Sequence, residues 1–105
     1  MAEKQNVVFI GRKPPMSYVL AVLTGFSATK SDEIILKARG RAISTAVDVA
    51  EISRRIFVKG LEVSNITIGT ENLAREGGET RGVSTIEITL KQSGAAEKKP
   101  AKKEK

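Results

Sequence analysis

Three basic residues stand where an apolar segment gives way to a helical pattern. Lys37, Arg39 and Arg41 alternate with small residues, after an apolar run at 34–36 and before a helical pattern that begins near Ala42. The N–H groups at a helix N-terminus favour anions. Because small residues separate the cations, a wide, flat anion can approach the backbone. A polyphosphate such as nucleic acid fits this pattern better than a small metabolite.

A second basic pair, Arg12 and Lys13, follows the apolar run at 7–10 and precedes Pro14 and Pro15. Taken alone, the pair is either a solvated loop or a phosphate contact. If the two apolar runs are parallel strands, the two basic segments that follow them lie at the same edge of the sheet, where the ligand sites of α/β proteins are usually found. The combination favours phosphate contacts by five residues: Arg12, Lys13, Lys37, Arg39 and Arg41.

The composition excludes several classes of function. A chain of 105 residues predicts one domain, and a net charge of +6 favours polyanionic partners, which include DNA, RNA and acidic lipid. The absence of Cys and His excludes disulfides, thiolate nucleophiles, ordinary zinc sites and imidazole catalysis. Asp48 and Glu51 have helical spacing, but nearby arginines favour a salt-bridged surface over an acid pair. We therefore expect no enzyme activity, metal or cofactor, and, without a signal or membrane segment, a cytoplasmic location.

Hydrophobic periodicity predicts the elements. The run at 7–10 indicates a strand buried on both faces, and a helix is expected from near Pro15, followed by a strand at 34–38 and a helix at about 42–57. The expected core face of the first helix is Met16, Val19, Leu20, Leu23 and Phe26.

Two strands follow. Leu61 and Val63 alternate in one phase and Ile66 and Ile68 in the other, which predicts a bulge near Ser64. A last strand is expected at 83–90 with one apolar face, Ile86, Ile88 and Leu90.

The element order is therefore β-α-β-α-β-β. Right-handed crossovers place both helices on one face of a mixed four-stranded sheet, so the fold class is an α+β two-layer sandwich. The opposite face is left open to solvent or to a partner. With three Phe, one Tyr and no Trp, the core is thin, which favours burial of further surface in a dimer.

Segment 69–82 contains Arg75 and Arg81 with little to bury, and it predicts a projecting hairpin. These arginines belong either to an arm that enters a nucleic-acid groove or to a mobile loop. Phe57 lies beside Arg54 and Arg55, and it is either a core residue or an exposed association site.

The predicted domain spans 1–91. The tail, 92–105, holds five lysines and is expected to be disordered, as a polyanion tether or a solubilising extension.

Four segments together resemble the Alba family of archaeal chromatin proteins, over about residues 6–91: 6–21 (NVVFIGRKPPMSYVLA), 35–44 (ILKARGRAIS), 46–52 (AVDVAEI) and 83–88 (VSTIEI). The resemblance implies the fold of the C-terminal domain of translation initiation factor three. It also implies a chromosome-associated homodimer that coats and compacts double-stranded DNA without sequence preference, and that also binds RNA.

The resemblance also implies residue roles. Arg12 and Lys13 correspond to one DNA-contacting loop, and Arg39 and Arg41 to a second. The remaining implied contacts are a hairpin along the minor groove, with Arg75 and Arg81, and a contact between dimers, with Phe57 flanked by Arg54 and Arg55.

The family's first loop carries a lysine whose acetylation weakens DNA binding. Arg12 occupies that position here, so Lys13 is the local acetylation candidate, with an acetyltransferase and a deacetylase as candidate partners. Two alternative functions remain open at this point. One is an RNA-binding protein or ribonucleoprotein subunit, and the other is an enzyme that acts on nucleic acid.

Overall fold

A computed structural model describes residues 6–28, 32–74 and 76–92. The element order confirms the predicted β-α-β-α-β-β sequence. The strands are β1 (Asn6–Phe9), β2 (Glu33–Arg39), β3 (Leu61–Ala74) and β4 (Thr80–Gln92). The helices are α1 (Pro15–Ala28) and α2 (Ala42–Ile52), and a π-helical turn (Ser53–Phe57) continues α2. Residues 1–5, the tail from 93 onward and Arg75, for which the sequence makes predictions, lie outside the described residues.

The four strands form one mixed sheet in the order β1-β2-β4-β3. β1 and β2 are parallel, as their connection through α1 requires, and β4 is antiparallel to both β2 and β3. Both helices pack on one face, which completes the two-layer α+β sandwich. The residues of β2 and β4 that are buried against them are Ile34, Leu36, Ala38, Ile86, Ile88 and Leu90.

β1 differs from its prediction as a strand buried on both faces. The side chain of Phe9 is 72% exposed, whereas that of Ile10 is buried. The prediction is wrong because β1 is an edge strand and the helices cover only one face of the sheet. A continuous apolar run does not reveal which of its faces the rest of the fold covers.

α1 begins at Pro15 as predicted, but its buried face is rotated from the expected one. Val19 and Val22 are fully buried, whereas Met16 and Leu20 are exposed. Leu23 and Phe26 pack only partly against the core. All residues from Val19 to Leu23 are apolar, so the spacing of apolar residues does not determine the rotation of the helix.

The predicted bulge in β3 is confirmed. The pairing of β3 with β4 shifts register between Val63 and Asn65. One extra residue brings both alternation phases to the helix side of the sheet, where Val63 is opposite Leu90 and Ile68 is opposite Ile86. Ile68 is nevertheless 76% exposed, because β3 is the other edge strand and its main helical contact is the π-helical turn.

The hairpin of β3 and β4 extends well beyond the rest of the sheet. The two strands pair from Leu61 opposite Gln92 to Ala74 opposite Thr80, whereas β2 pairs with β4 only as far as Thr85. The molecule is accordingly elongated, with extents of 55 × 36 × 22 Å. The last strand is longer than predicted, and the predicted projecting hairpin is present. Across 6–28, 32–74 and 76–92, no helix is both long enough and apolar enough to span a bilayer.

Candidate nucleic-acid interface

Four of the predicted cations line one open depression of about 1380 Å³ at the C-terminal end of β2. We call this depression the basic groove, and its cations are Arg12, Lys37, Arg39 and Arg41. They meet because β1 and β2 are parallel, so that the segments after both strands emerge at one edge. The Ile10 amide donates to the Lys37 carbonyl oxygen at 2.8 Å and holds the first segment against β2.

The turn that carries Arg12 is anchored by a tyrosine whose role the sequence analysis missed. The buried Tyr18 hydroxyl oxygen accepts hydrogen bonds from the amides of Gly11, at 2.9 Å, and Lys13, at 3.0 Å. One oxygen thus fixes the backbone on both sides of Arg12. Lys13 belongs to the same turn but lies outside the lining of the groove. The available sequence signal was a single tyrosine in the first turns of α1.

A glycine sets the positions of the other two arginines. Gly40 has a φ of +59°, in the left-handed region where a side chain is strained. Its amide donates to the Ser84 carbonyl oxygen at 2.9 Å, which ties the turn to β4. Arg39 is therefore the last residue of β2 and Arg41 is the residue before α2, on either side of one fixed turn. The Arg41 side chain makes no capping hydrogen bond, and the Ile43 amide donates to the Gly40 carbonyl oxygen at 3.1 Å. The N-terminal end of α2 adds positive potential at the groove.

Two carboxylates, also missed by the sequence analysis, reach these cations. Arg39 Nη1 lies 2.8 Å from Glu71 Oε1, and Lys37 Nζ lies 3.6 Å from Glu87 Oε2. Glu87 is directly opposite Lys37 in the sheet, but Glu71 lies on β3, so the Arg39 side chain crosses β4 to reach it. All four side chains are partly exposed, so an incoming phosphate can compete for both cations.

Other groups in the lining suit a nucleotide chain. Phe9 presents its ring beside Lys37, its neighbour in the parallel pair. Hydroxyl groups are supplied by Thr45, Thr70 and Thr85. The groove therefore combines cations, hydroxyl donors and one exposed aromatic ring.

The hairpin places the remaining predicted contact away from the groove. Arg81 is exposed on β4, opposite Leu73 in the projecting part of the hairpin. The structure does not bring it together with the groove cations, and Arg75 lies outside the described residues. An elongated arm that carries an arginine can follow the surface of a duplex beyond the body of the protein.

Phe57 ends the π-helical turn and is 45% exposed, next to the exposed Ile56. Of the two interpretations left open by the sequence, the exposed position agrees with an association site rather than a core residue. Arg54 donates to Glu51 at 2.7 Å, and Arg55 lies 3.9 Å from the same carboxylate.

The hydrogen bond from Arg54, aided by the charges of Arg54 and Arg55, lowers the pKa of Glu51 against an opposing effect of burial. The hydrogen bond to Glu51 likewise raises the pKa of Arg54. The pair is therefore fully charged at neutral pH, and it lies on the helical surface next to Phe57.

Within the described residues, no group of three or more acidic side chains is arranged to hold a metal ion. Asp48 and Glu51, the spacing considered for an acid pair, lie on α2, and Glu51 is engaged by arginine. This geometry agrees with the salt-bridged surface favoured by the sequence.

Comparisons with known proteins identify relatives that are named as nucleic-acid-binding proteins, in agreement with the basic groove. A family model described as Alba matches residues 6–70. The chain is 52% identical over 93 residues to the DNA/RNA-binding protein Alba of Methanocella arvoryzae, with 89% of this chain and 96% of the relative covered. It is 55% identical over 86 residues to DNA/RNA-binding protein Alba 1 of Archaeoglobus fulgidus, with 82% and 94% covered. Among solved structures, Alba from Thermoplasma volcanium is 50% identical with a TM-score of 0.75, with 82% and 99% covered.

Proposed function

We propose, because this chain belongs to the Alba family, that it binds nucleic acid and acts as a sequence-nonspecific double-stranded DNA-binding protein of chromatin. The observation that carries the proposal is the basic groove, in which four cations lie together near the N-terminal end of α2. Cations, hydroxyls and backbone amides bind phosphates and carry no sequence information. An open groove at the end of a sheet suits a long polyanion better than a small molecule, which is usually enclosed.

A dimer is part of the proposal. On the helix side of β3, Val63, Ile66 and Ile68 are exposed, and Ile56 is exposed on the π-helical turn, which contacts β3; we call these four residues the apolar strip. Contiguous exposed apolar side chains favour a protein partner. The helix-free face, which the sequence left open to a partner, instead carries charged and hydroxyl side chains such as Lys37, Thr85 and Glu87. Two copies joined through the strip would offer two grooves and two arms to one duplex.

Coating and compaction of DNA would then follow from contacts between dimers, for which the exposed Phe57 and the flanking Arg54 and Arg55 are the proposed residues. Arg81, on the projecting hairpin, and Arg75 are proposed to contact the duplex. A dimer with these properties acts as a binding protein rather than an enzyme, associated with the chromosome in the cytoplasm.

RNA binding is the second candidate function. It is favoured by the relatives, which are named DNA/RNA-binding proteins and are 52% and 55% identical to this chain. Phosphate contacts of the kind available in the groove do not by themselves separate the two polymers. An RNA-binding protein or ribonucleoprotein subunit therefore uses the same groove cations in this proposal.

Acetylation is proposed only for Lys13 within the first basic turn. Arg12, which lines the groove, cannot be acetylated, and Lys13 lies one residue away with its amide held by Tyr18. Neutralising Lys13 would remove one cation near the groove without changing the groove lining, so its effect on affinity is expected to be modest.

The proposal is tested by titrating unrelated duplexes over a range of salt concentrations. If a dimer contacts about six phosphates, log K should fall with log salt at a slope of about −5. A variant with Arg12→Ala and Lys13→Ala should bind all duplexes more weakly by a similar factor and show a shallower slope. The matched control, Lys59→Ala with Lys91→Ala, removes the same charge from exposed sites outside the groove. A slope near zero, or equal losses in both variants, would contradict the proposal.

A further inference from the structure

We infer that Phe9 forms a stacking site for an unpaired nucleobase at the rim of the basic groove. The inference rests on the proposed function and deepens it, because it names single-stranded nucleic acid as a further ligand of the same groove. Its starting point is an aromatic ring that the fold leaves uncovered. Phe9 is 72% exposed, more than any other aromatic side chain in the described structure.

The exposed ring has no evident structural role. Phe9 lies on the helix-free face of β1, the edge strand of the sheet, and the core on the other face is filled by Ile10 and its neighbours. The benefit of an apolar side chain to folding scales with the area it buries, so a ring that is mostly exposed contributes little. Its flat face is instead available to a ligand.

The surroundings of the ring favour a nucleotide. Lys37 is its direct neighbour across the β1–β2 pair, and Arg12 follows three residues later in the same groove lining. Proteins that hold single strands combine cations that follow the phosphates with aromatic rings on which bases stack. Phe9, Lys37 and Arg12 supply this combination within one open surface.

The same geometry separates single strands from duplexes. In a duplex each base is stacked between its neighbours, so its face is not available to a phenyl ring at the protein surface. Unpaired bases in single strands, loops and bulges expose that face. Stacking on Phe9 should therefore add to the affinity for single strands and contribute little to duplex binding, which depends on the phosphates.

The alternative occupants of this face are a second copy of the chain and another protein. Both fit less well, because cations border the ring and the established apolar exposure on β3 lies on the other face of the sheet. An apolar partner that covered Phe9 would also have to desolvate Lys37 and Arg12. A polyanion instead interacts favourably with both Lys37 and Arg12.

The first test compares Phe9→Leu with Phe9→Tyr. Each variant is titrated with a single-stranded RNA of about eight nucleotides, with single-stranded DNA of the same sequence, and with the corresponding duplex. Phe9→Leu should lower the ratio of single-strand to duplex affinity roughly tenfold, and Phe9→Tyr should preserve it because the ring is kept. An equal loss of affinity for the RNA and DNA single strands in Phe9→Leu indicates base stacking. A loss confined to RNA would indicate a ribose contact and would overturn the inference. An unchanged ratio in Phe9→Leu also overturns the inference.

The second test uses fluorescence. The chain has no Trp, so Phe9→Trp introduces a single indole at the site. Stacking of a base on the indole should quench its emission when the single strand is added, with much less quenching by duplex. Leu20→Trp, at an exposed site on α1 outside the groove, is the control and should not respond. A concentration-dependent change in Phe9→Trp emission without nucleic acid would assign this face to a second copy and overturn the inference.

The two proposals fail separately. If the unmodified protein does not bind duplexes with a salt-dependent affinity, the proposed function fails. If it binds duplexes as expected while Phe9→Leu retains its single-strand preference, only the stacking site fails.

Discussion

At the scale of single residues, one hydroxyl group organises the first basic turn. The Tyr18 hydroxyl accepts two backbone hydrogen bonds, and the residue between the two donors is Arg12. A cation at a groove is useful for binding only if its backbone is held, because ordering a loop on binding costs conformational entropy. Tyr18 removes part of that cost before the ligand arrives.

Replacing Tyr18 by Phe removes the acceptor while keeping the ring. We expect the free energy of unfolding to fall by about 1–2 kcal/mol, since two amides in a partly buried turn lose their partner. Duplex affinity should fall severalfold because Arg12 becomes less ordered. Urea unfolding and duplex titration measure the two effects. Unchanged stability together with unchanged affinity would show that solvent replaces the hydroxyl without loss.

A second residue-scale prediction concerns Glu71, which forms an ion pair with Arg39 in the free protein. Glu71→Gln removes both the competing carboxylate and its repulsion of phosphates, so duplex affinity should rise severalfold at low salt and the salt dependence should steepen. Glu62→Gln is the matched control, because it removes the same charge from an exposed site on the same strand, outside the groove. Weaker binding by Glu71→Gln would mean that the carboxylate positions Arg39 rather than competes for it.

At the scale of elements, the end of α2 presents an aromatic residue to solvent. The Val58 amide donates to the Ser53 carbonyl oxygen at 2.8 Å, which closes the wider π-helical turn before the chain enters β3. Phe57 is the last residue of that turn, is exposed and directly follows Ile56 of the apolar strip. Such turns often occur at functional sites in helices.

Phe57→Ala should therefore affect assembly more than folding. A ring that is 45% exposed should cost clearly less stability than the roughly 3–5 kcal/mol of a buried Phe→Ala change. The cooperativity of DNA coating should fall, as measured by titration of long duplexes. Phe26→Ala is the control, because Phe26 packs against the core and should lose more stability. A larger stability loss for Phe57→Ala, with unchanged cooperativity, would assign Phe57 to the fold.

At the scale of the whole molecule, the elongated hairpin and the apolar strip together favour a dimer. Sedimentation at micromolar concentration should give twice the 11.3 kDa mass of the chain. Ile68→Glu should shift the equilibrium toward the monomer, because an unpaired carboxylate would have to be buried in the interface. Leu20→Glu, at an exposed apolar site on α1, is the control and should remain dimeric. A monomer at this concentration in the unmodified protein would remove the proposed role of the strip.

Features that depend on neighbouring residues were predictable from the sequence. The element order, the start of α1 at Pro15, the parallel placement of the first two strands and the bulge near Ser64 all follow from local spacing, and all are present. The position of the groove cations follows from the same logic, because parallel strands end at one edge. Whether these cations bind DNA remains a prediction.

Other features were decided only by the tertiary structure, because they depend on which surfaces meet. The rotation of α1 and the exposure of Phe9 were mispredicted, since apolar segments have the same composition whether a neighbour covers them or not. The pairing of Arg39 with Glu71 joins residues 32 positions apart and requires β4 to lie between their strands. Strand order and register bring such pairs together. Neither strand order nor register can be predicted from the local spacing of residues, because long-range contacts depend on the packing of the whole chain.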